Sequence, residues 1–179
     1  MCSNVIMARQ AEASTGSAAF EALYRQELAP LVALATTMSG NREIGADLAH
    51  EALARAYRDW RTVGALDRPG AWVRRVVINL AIDAHRRNAR ETLALARLDP
   101  DPRVSSGEVS DAAFWAAVRA LPERQRAAVA LYYVEDLSVA EIAEVLSIAV
   151  GTVKASLFMA RRSLAATFGA EEVSDDNDR

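Results

Sequence analysis

The chain has 179 residues, of which 51% are hydrophobic and 25% are charged, and its formal net charge at pH 7 is -3. This composition is typical of soluble globular proteins and leaves room for one domain or two small ones. A single cysteine and two histidines exclude disulfide frameworks and Cys/His zinc sites. Because no apolar run approaches about 20 residues and no signal peptide opens the sequence, we expect a cytoplasmic protein that does not insert into the membrane.

The N-terminal half of the sequence predicts three helices. Residues 1–17 have no periodicity, and we expect a disordered end there. Apolar residues then recur at three- and four-residue steps from Phe20 to Met38, and again from Ile44 to Trp60, which predicts two amphipathic helices.

A third helix is predicted from just after Pro69 to about Arg90. Its valines share one side, and its arginines share another. Ile78 and Ile82 are expected to lie off the core side, where they would cover a neighbouring helix or a partner. One face of this helix should therefore pack, while the other stays polar and basic.

Residues 98–110 (LDPDPRVSSGEVS) are rich in proline and polar residues and are net acidic, which predicts a flexible linker. Beyond it we expect a helix capped by Asp111 and a second over 123–135. Ser138 and Glu141 have the spacing of a capping box, which predicts a short helix over 139–146.

The last predicted helix runs over 151–168, and with the short helix before it has the spacing of a helix-turn-helix. An ordinary helical hairpin is the alternative. In helix-turn-helix domains, the first residues of the second helix meet base edges. Here these residues are Val150, Gly151, Thr152, Lys154, Ala155 and Ser156.

The charge is unevenly distributed along the chain. Residues 68–97 carry 7 Arg against 2 acids, 108–149 carry 3 Arg against 7 acids, and 150–168 carry three basic residues and no acid. Two basic islands suggest two contacts with a polyanion, although a solvated helix face explains either island alone. On the third helix, arginines would hold phosphates and an aromatic would stack on a base. The residues of this basic face are Trp72, Arg74, Arg75, Asn79, Arg86 and Arg87.

Nothing in the sequence indicates catalysis. Neither His50 nor His85 lies near a nucleophile elbow or a glycine-rich loop. We therefore expect no catalytic residue, no metal site and no cofactor.

Taken together, the two halves resemble extracytoplasmic-function sigma factors, a class of promoter-specificity subunits of RNA polymerase. FEALYRQELAPLVALA, ADLAHEALARAYRDW and PGAWVRRVVINLAIDAHRR resemble region 2 of that family, and LPERQRAAVALYYVEDLSVAEIAEVLSIAVGTVKASLFMARRSL resembles region 4. The resemblance implies an all-α fold of two small helical domains, over 18–97 and 111–168, joined by the linker 98–110 and followed by a disordered acidic tail over 169–179.

The resemblance also implies an alternative sigma factor that binds RNA polymerase core, melts the -10 element and reads the -35 element. The residues that would dock on the β′ clamp helices are Asp47, Leu48, Glu51, Leu53, Arg55 and Ala56. Those that would meet the -10 element, with the loop 61–70, are Trp72, Arg74, Arg75, Asn79, Asp83, Arg86 and Arg87. Those that would meet the -35 element are Val150, Gly151, Thr152, Lys154, Ala155, Ser156, Arg161 and Arg162. The β flap of polymerase and an anti-sigma factor are further implied partners.

The start of the last helix departs from the family pattern. Ser147, Ala149 and Val150 stand where the family commonly has a turn glycine, a serine and an acidic residue, and Ser156 and Met159 replace basic positions. Because a capping residue and phosphate contacts are lost, we expect weak or unusual -35 recognition.

Two alternatives stay open from sequence. One is a one-component helix-turn-helix regulator whose N-terminal half dimerises or binds a small molecule. Another is a protein that binds polymerase core but has lost promoter reading. The acidic tail raises a separate hypothesis, that it shields basic residues of the same chain. The residues concerned are Arg86, Arg87, Arg161 and Arg162.

Overall fold

The computed structural model of the chain describes residues 2–95 and 111–169, with side chains described over 16–87 and 113–169. Every element in these ranges is a helix, which confirms the all-α prediction. In chain order the helices are α1 (Cys2–Ser39), α2 (Arg42–Arg58), α3 (Trp60–Val63), α4 (Pro69–Leu95), α5 (Asp111–Ala120), α6 (Glu123–Tyr133), α7 (Val139–Leu146) and α8 (Val150–Phe168). The predicted linker and acidic tail fall almost wholly outside the described residues.

Helices α1, α2 and α4 pack together into the N-terminal domain. Its core is made by the apolar stripes of the three helices, including Leu34, Leu53 and Val77, which are fully buried. Ile78 is buried as well, although periodicity placed it off the core side of the helix. Helix α4 contacts α7 as well as α1 and α2, so more of its circumference is covered than a surface helix would bury.

Local sequence explains where α1 ends and α2 begins. Gly40 adopts a positive φ of 78°, a conformation that glycine reaches without a steric penalty. The Asn41 side chain then accepts hydrogen bonds from the backbone N–H groups of Glu43 and Ile44, at 2.8 and 3.1 Å, and so caps α2. Two features differ from the prediction: α1 already begins at Cys2, where a disordered end was expected, and the short helix α3 was not predicted.

Helices α5 to α8 form the C-terminal domain around buried Val118, Leu131, Ile142, Val153 and Leu157. The predicted capping box is present at the start of α7. Helix α6 ends at Tyr133, two residues earlier than expected.

The two domains are in direct contact. Helix α4 touches α7, and α1 touches α5 and α6. At the end of α1, the Arg119 side chain of α5 lies so near Gly40 that a Cβ added there would be 2.7 Å from Arg119 Nε. The C-terminal domain therefore lies against the basic helix α4 and the end of α1.

Across the described ranges, no single helix is both long and apolar enough to span a membrane. The pair of α7 and α8, bent by 105°, reaches that length and composition only when the two helices are taken together.

Substituting Gly45 should reveal how closely α1 and α2 approach. An added Cβ would lie 2.5 Å from Thr36 Oγ1 and 2.7 Å from its backbone nitrogen. Since neither helix can shift without disturbing the core, we expect Gly45→Ala to lower the free energy of unfolding by about 1–3 kcal/mol, measured by urea denaturation.

Gly151→Ala is the matched control, because nothing lies within 4 Å of an added Cβ there. In a helix this change should raise stability by roughly 0.5–1 kcal/mol. Equal effects of the two substitutions would contradict the close approach of α1 and α2.

Candidate nucleic-acid interface

Helices α7 and α8 form the predicted helix-turn-helix. They are bent by 105°, within the roughly 90–120° typical of the motif. Ala143 is buried, and its carbonyl accepts a hydrogen bond from the N–H of Ile148 at 3.0 Å. Ser147 closes α7 in the left-handed region, with φ 54°. A serine therefore occupies a backbone conformation that favours glycine.

The start of α8 is open to solvent. Val150, Gly151, Thr152, Lys154 and Ala155 are exposed, whereas Ser156 is half-buried and its hydroxyl donates to the Thr152 carbonyl at 2.8 Å. Ala149 at the N-cap makes no side-chain hydrogen bond to the helix. Five of the six residues predicted to meet base edges are thus exposed, and the expected absence of a side-chain cap is observed.

Further along α8, the two arginines differ in their surroundings. Arg162 is exposed, whereas Arg161 is half-buried, with its guanidinium 5.7 Å from the centre of the Tyr132 ring. Arg161 Nε also donates to the Tyr133 hydroxyl at 3.1 Å. Arg161 is therefore held against α6 by a cation–π contact and a hydrogen bond.

Two large apolar side chains interrupt the outward face of α8. Phe158 is 51% exposed and Met159 is 46% exposed. Met159 lines a shallow groove between α8 and the start of α6. This face is less basic and more apolar than a surface built only to hold phosphates.

The basic face of α4 is only partly open. Asn79, Asp83 and Arg87 are exposed, while Trp72 is half-buried against the core. Arg74, Arg75 and Arg86, also predicted to contact DNA, each contact the C-terminal domain, and Arg74 contacts α1 as well.

Arg74 lies between two carboxylates. Its Nε donates to Glu135 Oε2 at 2.9 Å, and its Nη1 lies 2.8 Å from Glu27 Oε2 without the alignment of a hydrogen bond. Glu27 and Glu135 are almost completely buried, with side-chain exposures of 6% and 3%. This three-residue group joins α1, α4 and the segment after α6.

Arg75 and Arg86 each engage one whole edge of the guanidinium. Arg75 Nε donates to the Val145 carbonyl and Nη2 to the Glu144 carbonyl, both at 2.6 Å. Arg86 Nε and Nη2 donate to the two carboxylate oxygens of Glu123, also at 2.6 Å. The hydrogen bond from Arg86 holds the pKa of the Glu123 carboxyl below its usual value.

A fourth arginine, Arg68 in the loop before α4, lies 2.8 Å from Glu144 Oε2. Sequence reasoning missed all of these contacts between the domains. The signal was present in the charge distribution, because the basic stretch 68–97 and the acidic stretch 108–149 are complementary. For Arg86, the structure shows a partner other than the acidic tail.

Two of the docking residues predicted on α2 are buried and must be removed from the docking surface. Asp47 and Glu51 are exposed, Leu48 and Arg55 are half-buried, and Arg55 Nε donates to Glu51 at 2.8 Å. Leu53 and Ala56, however, are buried in the core of the N-terminal domain. They lie on the inner side of α2, so they position the helix and do not contact a partner.

An aromatic cluster beside this helix was also missed. Tyr57 is 61% exposed, although it lies within the run from Ile44 to Trp60 whose apolar periodicity predicted the helix. Its ring lies 4.9 Å from Phe20, which in turn packs edge-on against Trp60 at 5.3 Å. The exposed face of α2 therefore continues into an aromatic surface.

No group of three or more metal-ligating side chains lies close enough to hold a metal ion within the part of the chain that the structure describes. His85 has a lowered pKa, first because it is partly desolvated and then because of the nearby Arg126 cation. It is therefore neutral at pH 7.

Comparison with known families matches both domains. The family model for Sigma-70 region 2 matches residues 23–91, and that for Sigma-70, region 4 matches residues 111–164.

Curated relatives share these regions. The chain is 34% identical over 170 residues to the ECF RNA polymerase sigma factor SigL of Mycobacterium tuberculosis, covering 90% of this chain and 96% of SigL. It is 31% identical to SigM of the same species, covering 84% of this chain and 78% of SigM. Identity to SigE of Mycolicibacterium smegmatis is also 31%, covering 84% of this chain and 66% of SigE.

Two solved structures share the fold. The sigma factor RpoE in complex with the anti-sigma factor NepR, from Bartonella quintana, aligns with a TM-score of 0.66 and 20% identity, covering 86% of this chain and 98% of RpoE. CnrH, in complex with the cytosolic domain of CnrY, aligns with a TM-score of 0.60 and 26% identity, covering 93% of this chain and 97% of CnrH.

Restoring a cap at the start of α8 should stabilise the C-terminal domain. Ala149 already has the extended backbone of an N-cap residue, with φ -66° and ψ 146°. We expect Ala149→Ser to raise the free energy of unfolding by about 1 kcal/mol, measured by thermal denaturation. Ala155→Ser, inside the same helix, is the control and should lower stability slightly. A lower free energy of unfolding in the Ala149→Ser variant would contradict the N-cap geometry at this position.

The capping box makes the stability of α7 depend on pH. The Ser138 hydroxyl and N–H donate to Glu141 Oε2, at 2.7 and 2.9 Å, and hold the pKa of this carboxyl below its usual 4.5. This contribution to stability is complete above pH 4.5 and is lost as pH falls through the folded-state pKa. We expect Glu141→Gln to be less stable than wild type at pH 7, and the difference to shrink below pH 4. A difference that stays constant over this range would contradict the assignment.

Proposed function

Because this chain belongs to the extracytoplasmic-function family of RNA polymerase sigma factors, we propose that it binds polymerase core and directs initiation by reading the -10 and -35 elements and melting the -10 DNA. The observation that carries this proposal is that regions 2 and 4 occur in order on one chain that spans 96% of a curated relative. Polymerase supplies the chemistry of RNA synthesis, and the sigma factor supplies recognition.

Docking on polymerase core is assigned to the exposed face of α2. Asp47, Glu51 and Arg55 provide charges of both signs around the half-buried Leu48. A small apolar centre within a polar rim is typical of a protein interface. Docking does not require Leu53 or Ala56 to be exposed, because these residues hold α2 in place from the core side.

Promoter melting is assigned to α4 and the loop before it. Leu66 is 42% exposed in that loop, and Trp72 lies at the start of α4. Apolar and aromatic groups next to arginines suit a separated strand, whose bases need stacking partners and whose phosphates need cations. We therefore assign the main share of promoter specificity to this domain.

Reading of the -35 element is assigned to the start of α8. Thr152, Lys154 and Ala155 are accessible there, but α8 lacks a side-chain cap and carries exposed Phe158 and Met159. These features support weak -35 recognition. If -35 recognition were lost completely, the chain would bind core without directing initiation. Run-off transcription distinguishes that case.

An anti-sigma factor is the remaining proposed partner. RpoE and CnrH, which share this fold, were each solved with a second protein, NepR and the cytosolic domain of CnrY. By analogy, we propose that a protein of this class binds the present chain and limits its access to core and promoter.

Run-off transcription with bacterial core polymerase on a genomic promoter library tests the function. We expect discrete start sites with a shared upstream motif that appear only when the protein is added. If no new start sites appear although the protein still binds core, the result would favour a protein that binds polymerase core but has lost promoter reading. Absence of both would favour a one-component regulator, which should bind duplex DNA tightly on its own.

Glu51→Gln tests the docking face in the same assay. Because Glu51 is exposed on that face, we expect core binding in a pull-down, and run-off product with it, to fall by several-fold. Glu21→Gln is the matched control, since Glu21 forms an equivalent ion pair with Arg25 one turn away on α1. Equal effects of the two changes would contradict docking through α2.

A further inference from the structure

We propose that α8 selects A·T base pairs by contacting the methyl groups of thymine with an apolar patch, in place of hydrogen bonds to base edges. The patch consists of Ala155, Phe158 and Met159 and is called the methyl-reading patch. The inference rests on the proposed function, because it names the base pairs that α8 would select in the -35 element. The contact between the patch and a DNA duplex can be tested without polymerase.

The methyl-reading patch lies at the centre of the outward face of α8. Val153 and Leu157 are buried in the core of the C-terminal domain. At about 100° per residue, Ala155 points directly away from the midpoint of these two core residues. Phe158 and Met159 lie one turn further on, on either side of Ala155, and are 51% and 46% exposed. The surface of α8 that faces away from the domain is therefore apolar.

The patch lies within the part of α8 that fits into the major groove. From Val150 to Met159 the helix advances by about 14 Å, at about 1.5 Å per residue. The major groove is about 12 Å wide, and the first residues of such a helix contact the base edges. Ala155 and Phe158 are therefore within reach of bases, and Met159 lies at the edge of the groove. Arg162, exposed and three residues further on, lies beyond the groove beside the phosphates.

This part of α8 lacks the side chains that pair with a base through two hydrogen bonds on a planar group. Arginine pairs with guanine in this way, and asparagine or glutamine with adenine. None of the three occurs in VGTVKASLFMA, residues 150–160. The Ser156 hydroxyl donates to the Thr152 carbonyl at 2.8 Å, so its hydrogen is not offered to a base. Lys154 lies about 100° around the helix from Ala155, so it points towards one wall of the groove.

Thymine is the one unmodified DNA base that presents a methyl group in the major groove. An apolar side chain gains by contacting this methyl group, because both surfaces leave water. Against a G·C pair, the same side chain would cover donors and acceptors without supplying partners for them. The patch should therefore favour A·T and T·A pairs over G·C pairs. Because a methyl contact is weaker than a pair of hydrogen bonds, this agrees with the weak -35 recognition assigned above.

The charge around the patch favours DNA as its occupant over an apolar protein segment. Helix α8 carries three basic residues and no acid. Across the shallow groove that Met159 lines, Arg124 at the start of α6 is exposed. The acid of the same groove, Glu123, is held by Arg86. Cations around an apolar centre suit a duplex, whose phosphates flank the methyl groups of its bases.

Replacing thymine by deoxyuridine tests the proposal, because it removes the methyl group and keeps every hydrogen-bonding group of the base. Immobilised full-length protein first selects from DNA duplexes with about 20 random base pairs at low salt, where DNA binding is strongest. Polymerase is omitted, since the start of α8 is exposed in the free chain. The selected duplex is then made with thymine or with deoxyuridine in both strands, and the affinities are compared by fluorescence anisotropy.

We expect the selected sequences to share a run of A·T pairs. The duplex with deoxyuridine should bind about threefold to tenfold more weakly, the loss expected when one or two methyl groups are no longer buried.

Two substitutions of Met159 test the patch directly, and both are at an exposed position, so the fold should be kept. Met159→Ala removes the thioether and should reduce the difference between the thymine and deoxyuridine duplexes. Met159→Arg adds a group that pairs with guanine. It should select guanine at one position of the sequence, by about fivefold or more over thymine.

Arg162→Gln is the matched control, because it changes an exposed residue of α8 outside the patch. We expect it to weaken the thymine and deoxyuridine duplexes equally, since a phosphate contact does not depend on the base. The salt dependence of binding should also decrease.

A preference for thymine that Met159→Ala reduces and Arg162→Gln keeps would support the proposal. Equal binding of the thymine and deoxyuridine duplexes by the wild type would overturn it, and is the result expected if the patch binds a protein instead. Selected sequences rich in G·C pairs, or no selected sequence at all, would overturn it as well. So would an unchanged preference in both Met159 variants.

Run-off transcription by the wild type is a separate result. Discrete start sites together with equal binding of the two duplexes would overturn this inference and leave the proposed function intact. A preference for thymine without any start site would contradict the proposed function and leave the methyl contact supported.

Discussion

The position of the C-terminal domain depends on one half-buried arginine, Arg74, held between the almost completely buried carboxylates of Glu27 and Glu135. Buried ion pairs add little net stability, because desolvating the charges offsets most of their attraction, but each partner is strongly disfavoured without the others. The group therefore determines how the two domains are placed and adds little to stability, because Glu135 is accommodated in the interface only where Arg74 meets it. The exposed pairs around it, such as Arg68 with Glu144, are worth little individually. These exposed pairs add to an arrangement of the two domains that the group of Glu27, Arg74 and Glu135 determines.

Helix α4 contributes both to the core of the N-terminal domain and to the contact between the two domains. Val73 and Val77 on one side are buried and anchor the helix in the N-terminal domain. Its other side carries guanidinium groups, which bind carboxylates, carbonyls and phosphates with similar geometry. The buried side therefore fixes the helix in the N-terminal domain, while the basic side holds carboxylates and carbonyls of the C-terminal domain.

Helix α8 has the position of the second helix of a helix-turn-helix, but its first turn has no side-chain cap. The buried Val153 and Leu157 fix its angle against α7, and its first turn is open to solvent. Ser147 is held in a left-handed conformation, no side chain caps the helix, and Phe158 lies exposed on its surface. The contrast with the basic face of α4 agrees with a division of labour in which the N-terminal domain carries most of the promoter specificity.

The sequence by itself determined every described helix except α3 and the first part of α1, together with the capping box of Ser138 and Glu141 and the helix-turn-helix. Periodicity and caps act over a few neighbouring residues, so they can be read without the fold. It also indicated the family and the accessible start of α8. Periodicity did not reveal that Ala56 is buried while Tyr57 is exposed, since that depends on which neighbours cover a helix. Only the tertiary structure decided which anion each arginine of α4 holds. Arg74 and Glu135 are 61 residues apart, and charge patterning predicts that two segments attract each other but not which atoms meet.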